Sequence, residues 1–101
     1  GIGQCIVVKE KVVLAVEALE GTDETIRRGG NLGKDDIIVI KVSKHDFDPR
    51  FDIPTVGLET IKTLKESSAS VLALEAEKTI ILDIKETIEA ADNARISIIG
   101  I

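Results

Sequence analysis

Between Lys44 and Gly57 the chain gathers both of its prolines, both phenylalanines and its one histidine, while the remainder is built mostly from aliphatic residues, Lys and Glu. Taken as an extended segment with side chains alternating in direction, Phe47, Pro49, Phe51 and Ile53 face one way and Asp46, Asp48, Arg50 and Asp52 the other. The apolar row can press onto a core and hold out carboxylate, carboxylate, guanidinium, carboxylate in that order. Two prolines fix φ and remove backbone donors, which stiffens the row and argues against a central strand. Hard carboxylate oxygens suit Mg²⁺, which typically takes one or two of them together with water and substrate phosphate. A guanidinium between them can grip a phosphate oxygen through two parallel hydrogen bonds. The same spacing also fits a plain solvated loop closed by its own ion pair, which would contribute little to stability.

A second cluster, Glu20-Gly21-Thr22-Asp23, precedes a short helix: Gly21 permits a tight turn, Thr22 is the expected N-cap, and Asp23 and Glu20 add further oxygen donors. The amides of that first helical turn favour an anion, the acidic residues beside them oppose a bare phosphate, and a metal would reconcile the two. In a straight strand Asp48 and Asp52 stand about 13 Å apart, so one magnesium would take one of them, with Asp23 or substrate filling other positions. Lys41 breaks an otherwise apolar strand near its C-terminal end, where ligands of α/β sheets collect. A lysine snorkelling off a strand end explains the same residue.

Other chemistry is poorly supplied. One histidine and one cysteine cannot build a zinc site, no Ser or Cys partner for His45 is nominated, and the glycine-rich phosphate fingerprints are absent. A net charge of −5 and 2 % aromatic residues disfavour nucleic acid, which needs basic patches and stacking platforms. No apolar run approaches the ~20 residues that cross a bilayer, and no signal peptide is visible. The single Cys5 lies in an apolar strand pattern, reads as a buried small hydrophobe, and suits a reducing compartment. Position 1 is Gly and the chain lacks Met altogether, which predicts a piece of something larger.

At 101 residues the elements fit one α/β domain, a mixed sheet with helices packed on it. Two β-branched runs around Lys9-Glu10-Lys11 predict a hairpin, and the helix after Thr22 is expected to stop at Gly29-Gly30. The run from Asp36 to Ser43 predicts a strand buried on both faces. A helix follows over 57–68, with Leu58, Ile61 and Leu64 inward. A second hairpin joins 71–75 to 79–82, and a third helix has Asp83 and Glu86 as its capping box and Ile84, Ile88 and Ala91 as its buried stripe. The last strand, from Arg95, is apolar enough to be central. The order strand, strand, helix, strand thus occurs twice, as two pseudo-repeated units joined by the middle helix, and function is expected in the first unit and the proline segment.

Gly3-Gln4 opening a strand, Glu20-Gly21-Thr22-Asp23 followed by Arg27, Lys41 closing a strand, and the run Asp48-Pro49-Arg50-Phe51-Asp52-Ile53-Pro54-Thr55-Val56-Gly57 together resemble the C-terminal domain of LpxI-type UDP-2,3-diacylglucosamine pyrophosphatases, over almost the whole chain. The resemblance implies a Mg²⁺-dependent hydrolase of lipid A synthesis in Gram-negative bacteria, cytoplasmic and peripheral at the inner membrane. It would split UDP-2,3-diacylglucosamine into UMP and 2,3-diacylglucosamine 1-phosphate, with substrate lying between this domain and an N-terminal one. Asp52, Asp48 and Arg50 are then the catalytic candidates, Asp52 and Asp23 the metal ligands, and Gln4, Gly21, Thr22, Asp23, Arg27 and Lys41 the substrate contacts. Two other classes stay open: a module that binds nucleotide-sugars without cleaving them, and a structural or dimerisation domain, so a homodimer remains open as well.

Overall fold

In the computed structural model of the protein, residues 4–43 and 54–101 are described. The expected α/β class is found. Strands β1 (Cys5–Lys9), β2 (Val12–Val16), β3 (Ile37–Lys41), β5 (Ala69–Leu74) and β7 (Ser97–Gly100) form one sheet in the order β2-β1-β3-β5-β7. Two-residue strands β4 (Thr55–Val56) and β6 (Ile80–Ile81) pair separately, and the helices are α1 (Thr22–Gly33), α2 (Leu58–Glu66) and α3 (Ile84–Asn93).

β1 and β2 make the predicted hairpin, turned by Glu10 and Lys11 at φ 48° and 71°. Two consecutive left-handed residues are what a two-residue turn needs to match the twist of its strands. β1 runs antiparallel to β3, whereas β3, β5 and β7 are mutually parallel and joined by crossovers through α2 and α3. Alternation then sorts the side chains. Cys5, Val7, Ile37, Val39, Leu72 and Leu74 are buried against the helices, together with Ile26 of α1 and Ile61 and Leu64 of α2.

Several expectations are corrected. β3 is covered on one face: Ile38 and Ile40 alternate to the other side and are half-buried, and among the described residues no helix packs there. The hairpin predicted for 71–82 does not form, because β5 lies between β3 and β7 while β6 pairs in parallel with β4. The two proposed units therefore fold differently. The internal likeness is instead between β3-β4-α2 and β5-β6-α3, each a long strand, a short strand and a helix.

β7 is an edge strand with Ile99 46 % exposed. Asp83 is the N-cap of α3 but adopts a left-handed conformation (φ 47°) and makes no side-chain cap. The buried face of α3 is Thr87 and Ala91, while Ile84 and Ile88 point outward, as does Leu58 of α2. The Thr87 hydroxyl is satisfied in that buried position by donating to the Leu82 carbonyl at 2.7 Å. α1 runs straight through Gly29 and Gly30, since both are buried where a side chain would strike Val7 and Ser67.

Cys5 is fully buried, and burial pushes its thiol up to about 12. A neutral, inaccessible thiol is unreactive. Native protein at pH 8 is expected to resist a chromogenic disulfide reagent over minutes and to react at once in denaturant. Fast labelling without denaturant would contradict the burial.

Candidate functional site

The strand directions bring one edge of the sheet together. β2, β3, β5 and β7 end there and β1 begins there, with Cys5 opposite Lys41, Lys41 opposite Leu74, and Leu74 opposite Gly100. α1 starts at the same edge, because Glu17 closes the hairpin by donating its amide to the Cys5 carbonyl at 2.9 Å and the chain then turns through Gly21. Gly21 has φ 91°, which a side chain would strain, and it occupies the N-cap position itself. Thr22 is thus not the cap but the first helical residue. Its hydroxyl donates to Glu17 Oε1 at 2.9 Å, and the Gln4 backbone N–H donates to the same oxygen at 3.3 Å.

Behind this corner lies Lys41, only 7 % exposed, its Nζ donating to the Thr55 carbonyl at 2.6 Å. Burial holds its ammonium below the usual lysine range, opposed by the nearby carboxylates of Glu17 and Asp23. A buried ammonium persists only with such partners around it. Gln4, Gly21, Thr22, Asp23 and Lys41 are therefore brought to one place.

Arg27 is not brought into the corner. It lies further along α1, ion-paired with Glu24 one turn back, and lines a cavity of about 410 Å³ with Lys34, Glu66 and Ser67. Glu20 is occupied by Arg28, whose guanidinium also holds the Val16 carbonyl at 3.0 Å, and Arg28 lowers its pKa. Asp48, Arg50 and Asp52 lie outside the described residues, as do the apolar partners Phe47, Pro49, Phe51 and Ile53. Both ends of their segment are described: Ser43 leaves the end of β3, and Pro54 and Thr55 return to the same edge.

Sequence reasoning passed over two carboxylates here. Glu17 could have been noticed as the residue that ends β2 beside the turn. Glu75 has no local signal. It follows β5, and its Oε1 accepts from Ser43 N at 2.9 Å and from Ser43 Oγ at 2.6 Å. Those bonds lower the Glu75 pKa from its ordinary value near 4.5. A depressed carboxyl contributes its interactions above the unfolded value and loses them as pH falls through the folded one. The Ser43 amide resonance is therefore expected to titrate below pH ~4.5, the ordinary carboxylate value. A midpoint above it would contradict the contact.

Among the described residues no group of three His, Cys, Asp or Glu side chains could cage a metal. Of the expected metal ligands only Asp23 lies among the described residues, and its carboxylate oxygens are hard donors of the kind that Mg²⁺ takes. A groove of about 570 Å³ between α3, β6 and β7, lined by Ile81, Ile88, Arg95 and Ile98, contains none of the predicted site residues. No described helix is long and apolar enough to cross a membrane.

The fold has known counterparts. Two crystal forms of RibD from Acinetobacter baumannii superpose with a TM-score of 0.57 at 14 % and 13 % identity, over 96 % of this chain and 28 % of theirs, a likeness of fold alone. The chain is 34 % identical over 108 residues to the UDP-2,3-diacylglucosamine pyrophosphatase LpxI of Caulobacter vibrioides, covering 99 % of itself and 39 % of that protein. The family model for the LpxI C-terminal domain matches residues 1–99. With this sheet, the Gly21-Thr22-Asp23 corner and a match along nearly its whole length, the chain belongs to the LpxI C-terminal domain family.

Proposed function

We propose that this domain forms one side of the active site of a hydrolase that splits the diphosphate of UDP-2,3-diacylglucosamine into UMP and 2,3-diacylglucosamine 1-phosphate, in lipid A synthesis. The observation that carries the reading is the convergence at one sheet edge of the Gly21-Thr22-Asp23 corner, the buried Lys41, and both ends of the segment bearing Asp48, Arg50 and Asp52. The relative that matches along this chain is named for that pyrophosphatase, and this chain spans 39 % of its length. The rest of the cleft is assigned to a further domain of the same polypeptide.

Hydrolysis adds water across the phosphoanhydride: one P–O bond to the bridging oxygen breaks, a new one to the water oxygen forms, and negative charge accumulates on the departing phosphate. Fixed positive charge aimed at that oxygen lowers the barrier. Arg50 would grip a phosphoryl oxygen, and Lys41 would supply positive potential from beneath. Thr22, oriented by Glu17, and the amides of the first turn of α1 would position a phosphate or the sugar. Asp52 and Asp23 would hold Mg²⁺, which polarises phosphoryl oxygens and makes bound water more acidic. The enzyme would work in the cytoplasm at the inner membrane, touching the bilayer through its lipid substrate.

The test is product analysis of the full-length polypeptide with UDP-2,3-diacylglucosamine and Mg²⁺. UMP and the sugar 1-phosphate should appear together and depend on the metal. Tight binding without UMP would instead identify a nucleotide-sugar binding module, and neither binding nor UMP would leave a structural domain. The 101-residue chain alone is expected to release little UMP, because half of the cleft is assigned elsewhere.

A further inference from the structure

β7 closes one side of the five-stranded sheet, and among the described residues nothing pairs with its outer edge. Ile101 donates its amide to the Leu74 carbonyl at 2.8 Å and accepts from the Ala76 amide at 3.1 Å, so its peptide groups face inward. Strand alternation then turns the amides and carbonyls of Ile98 and Gly100 outward. Open edges are usually blunted by a lysine, a proline or a bulge. From Ile96 to Ile101 the chain has no charge and no proline, and the register of β7 with β5 is unbroken. The opposite edge is protected: β2 slips by one residue against β1 at Leu14 and lies between Lys11 and Glu17.

The surface beside β7 is aliphatic. Ile84 and Ile88 lie one turn apart on the outer side of α3, Ile99 and Ile101 project from β7, and all four are 43–60 % exposed. The groove of about 570 Å³ between α3 and β7, walled by Ile81, Ile88, Ile96 and Ile98, continues the same patch. The exposed area of the four isoleucines is on the order of 400 Å², about half of what each partner of a standard dimer buries, and the strand edge and groove walls supply the remainder.

We propose that this edge is a dimer interface, at which two copies of the chain pair their β7 strands antiparallel about a two-fold axis through Ile99 and join two five-stranded sheets into one. The register follows from which peptide groups face out. Pairing Ile98 of each copy with Gly100 of the other satisfies both outward residues and sets the two Ile99 side chains at a non-hydrogen-bonded position, with Cβ atoms about 4.5 Å apart. On the covered face the same axis brings the two α3 helices side by side, and Ile84 and Ile88 leave water.

A second copy fits this edge better than other occupants. An acyl chain or a lipid surface would cover the isoleucines and leave the peptide groups of Ile98 and Gly100 without partners. The further domain that completes the cleft is needed where β1 begins and β3 ends, beside Lys41, and β7 is the second strand beyond β3. A strand identical to β7 supplies both apolar side chains and hydrogen bonds at matching spacing. The interface does not depend on the hydrolase reading.

The test uses the full-length polypeptide, which should sediment as a dimer at micromolar concentration. Ile99→Cys should link into a covalent dimer under mild oxidation, because its Cβ spacing is within about the reach of a disulfide, and Val12→Cys on the β2 edge should link at least about tenfold more slowly. Cys5 is fully buried and does not compete. Ile99→Lys, a charge of the kind that blunts an edge, should weaken the dimer about a hundredfold or more with the circular dichroism unchanged. If that variant does not fold, the cross-linking decides. A monomer at tens of micromolar would overturn the proposal: slow labelling of the introduced thiol would then put the further domain on β7, and fast labelling would leave the edge to solvent or lipid. A dimer that Ile99→Cys does not link would overturn it as well, because the contact would lie elsewhere.

Discussion

With Asp52 in the metal-holding role proposed for it, Asp52→Ala in the full-length polypeptide is expected to reduce turnover of UDP-2,3-diacylglucosamine by about a thousandfold or more, because such a carboxylate supplies several kcal/mol of transition-state stabilisation and each 1.36 kcal/mol is a factor of ten. Circular dichroism and melting temperature should stay close to wild type. Asp52 stands two residues before Pro54, where the chain has already returned to the sheet edge and the Pro54 carbonyl accepts from Ile80 at 2.9 Å. That bond belongs to the backbone where β4 and β6 pair, and a change of the Asp52 side chain does not remove it. Asp52→Asn, which preserves shape and removes charge, should lose nearly as much. Ordinary activity in either variant would take Asp52 out of the reaction.

Gly29→Ala should destabilise the domain by about 1–3 kcal/mol, the usual range for forcing extra volume into a packed site. In a domain of this size that lowers the melting temperature by about 4–8 °C for each kcal/mol. The sign is the informative part. In an exposed helix the same change would stabilise by roughly 0.5–1 kcal/mol, since alanine loses less backbone freedom. Here a Cβ would stand 2.4 Å from Cγ1 and 2.6 Å from Cβ of Val7, a fully buried side chain on β1 with nowhere to move. Combining it with Val7→Ala should make the two losses less than additive, because the second change opens the space that the first needs. Fully additive losses, or a stabilised single variant, would show that α1 does not rest on β1 in this way.

Those glycines also show where a one-dimensional reading gives out. Local propensity makes Gly29-Gly30 a helix stop, whereas the third dimension makes them the thin part of a helix that must come close to a sheet. The hairpin of β1 and β2 was legible because its signal is local: alternating β-branched runs around a two-residue turn. The runs at 71–74 and 79–82 look much the same, and nothing local says that the first will lie between two parallel strands and the second will leave for β4. Ile84 and Ile88 mislead in a related way, since hydrophobicity predicts their burial while α3 turns Thr87 and Ala91 inward.

At the candidate site, residues of unusual type for their surroundings were readable. Lys41 in an apolar strand and Gly21-Thr22-Asp23 at a turn do meet at one edge. Glu17 had only its place beside the turn to mark it, and Glu75 had nothing local, because a glutamate among many becomes particular only through what it touches, and their contacts reach 13 and 32 residues along the chain. Arg27 belongs to the motif in sequence yet faces Glu24 and the far end of α1, a separation that helical geometry imposes and linear spacing hides.

The pairing of β4 with β6 binds the two crossovers to each other. Ile80 and Leu82 donate their amides to the Pro54 and Val56 carbonyls at 2.9 and 2.8 Å, so the stretch that follows Asp52 and the stretch that follows Glu75 share a single seam. A disturbance that opened residues 79–82 would tug on position 55 with no intermediary. A change introduced at Ile80 would therefore reach the Thr55 carbonyl that holds the Lys41 ammonium through a single strand pairing.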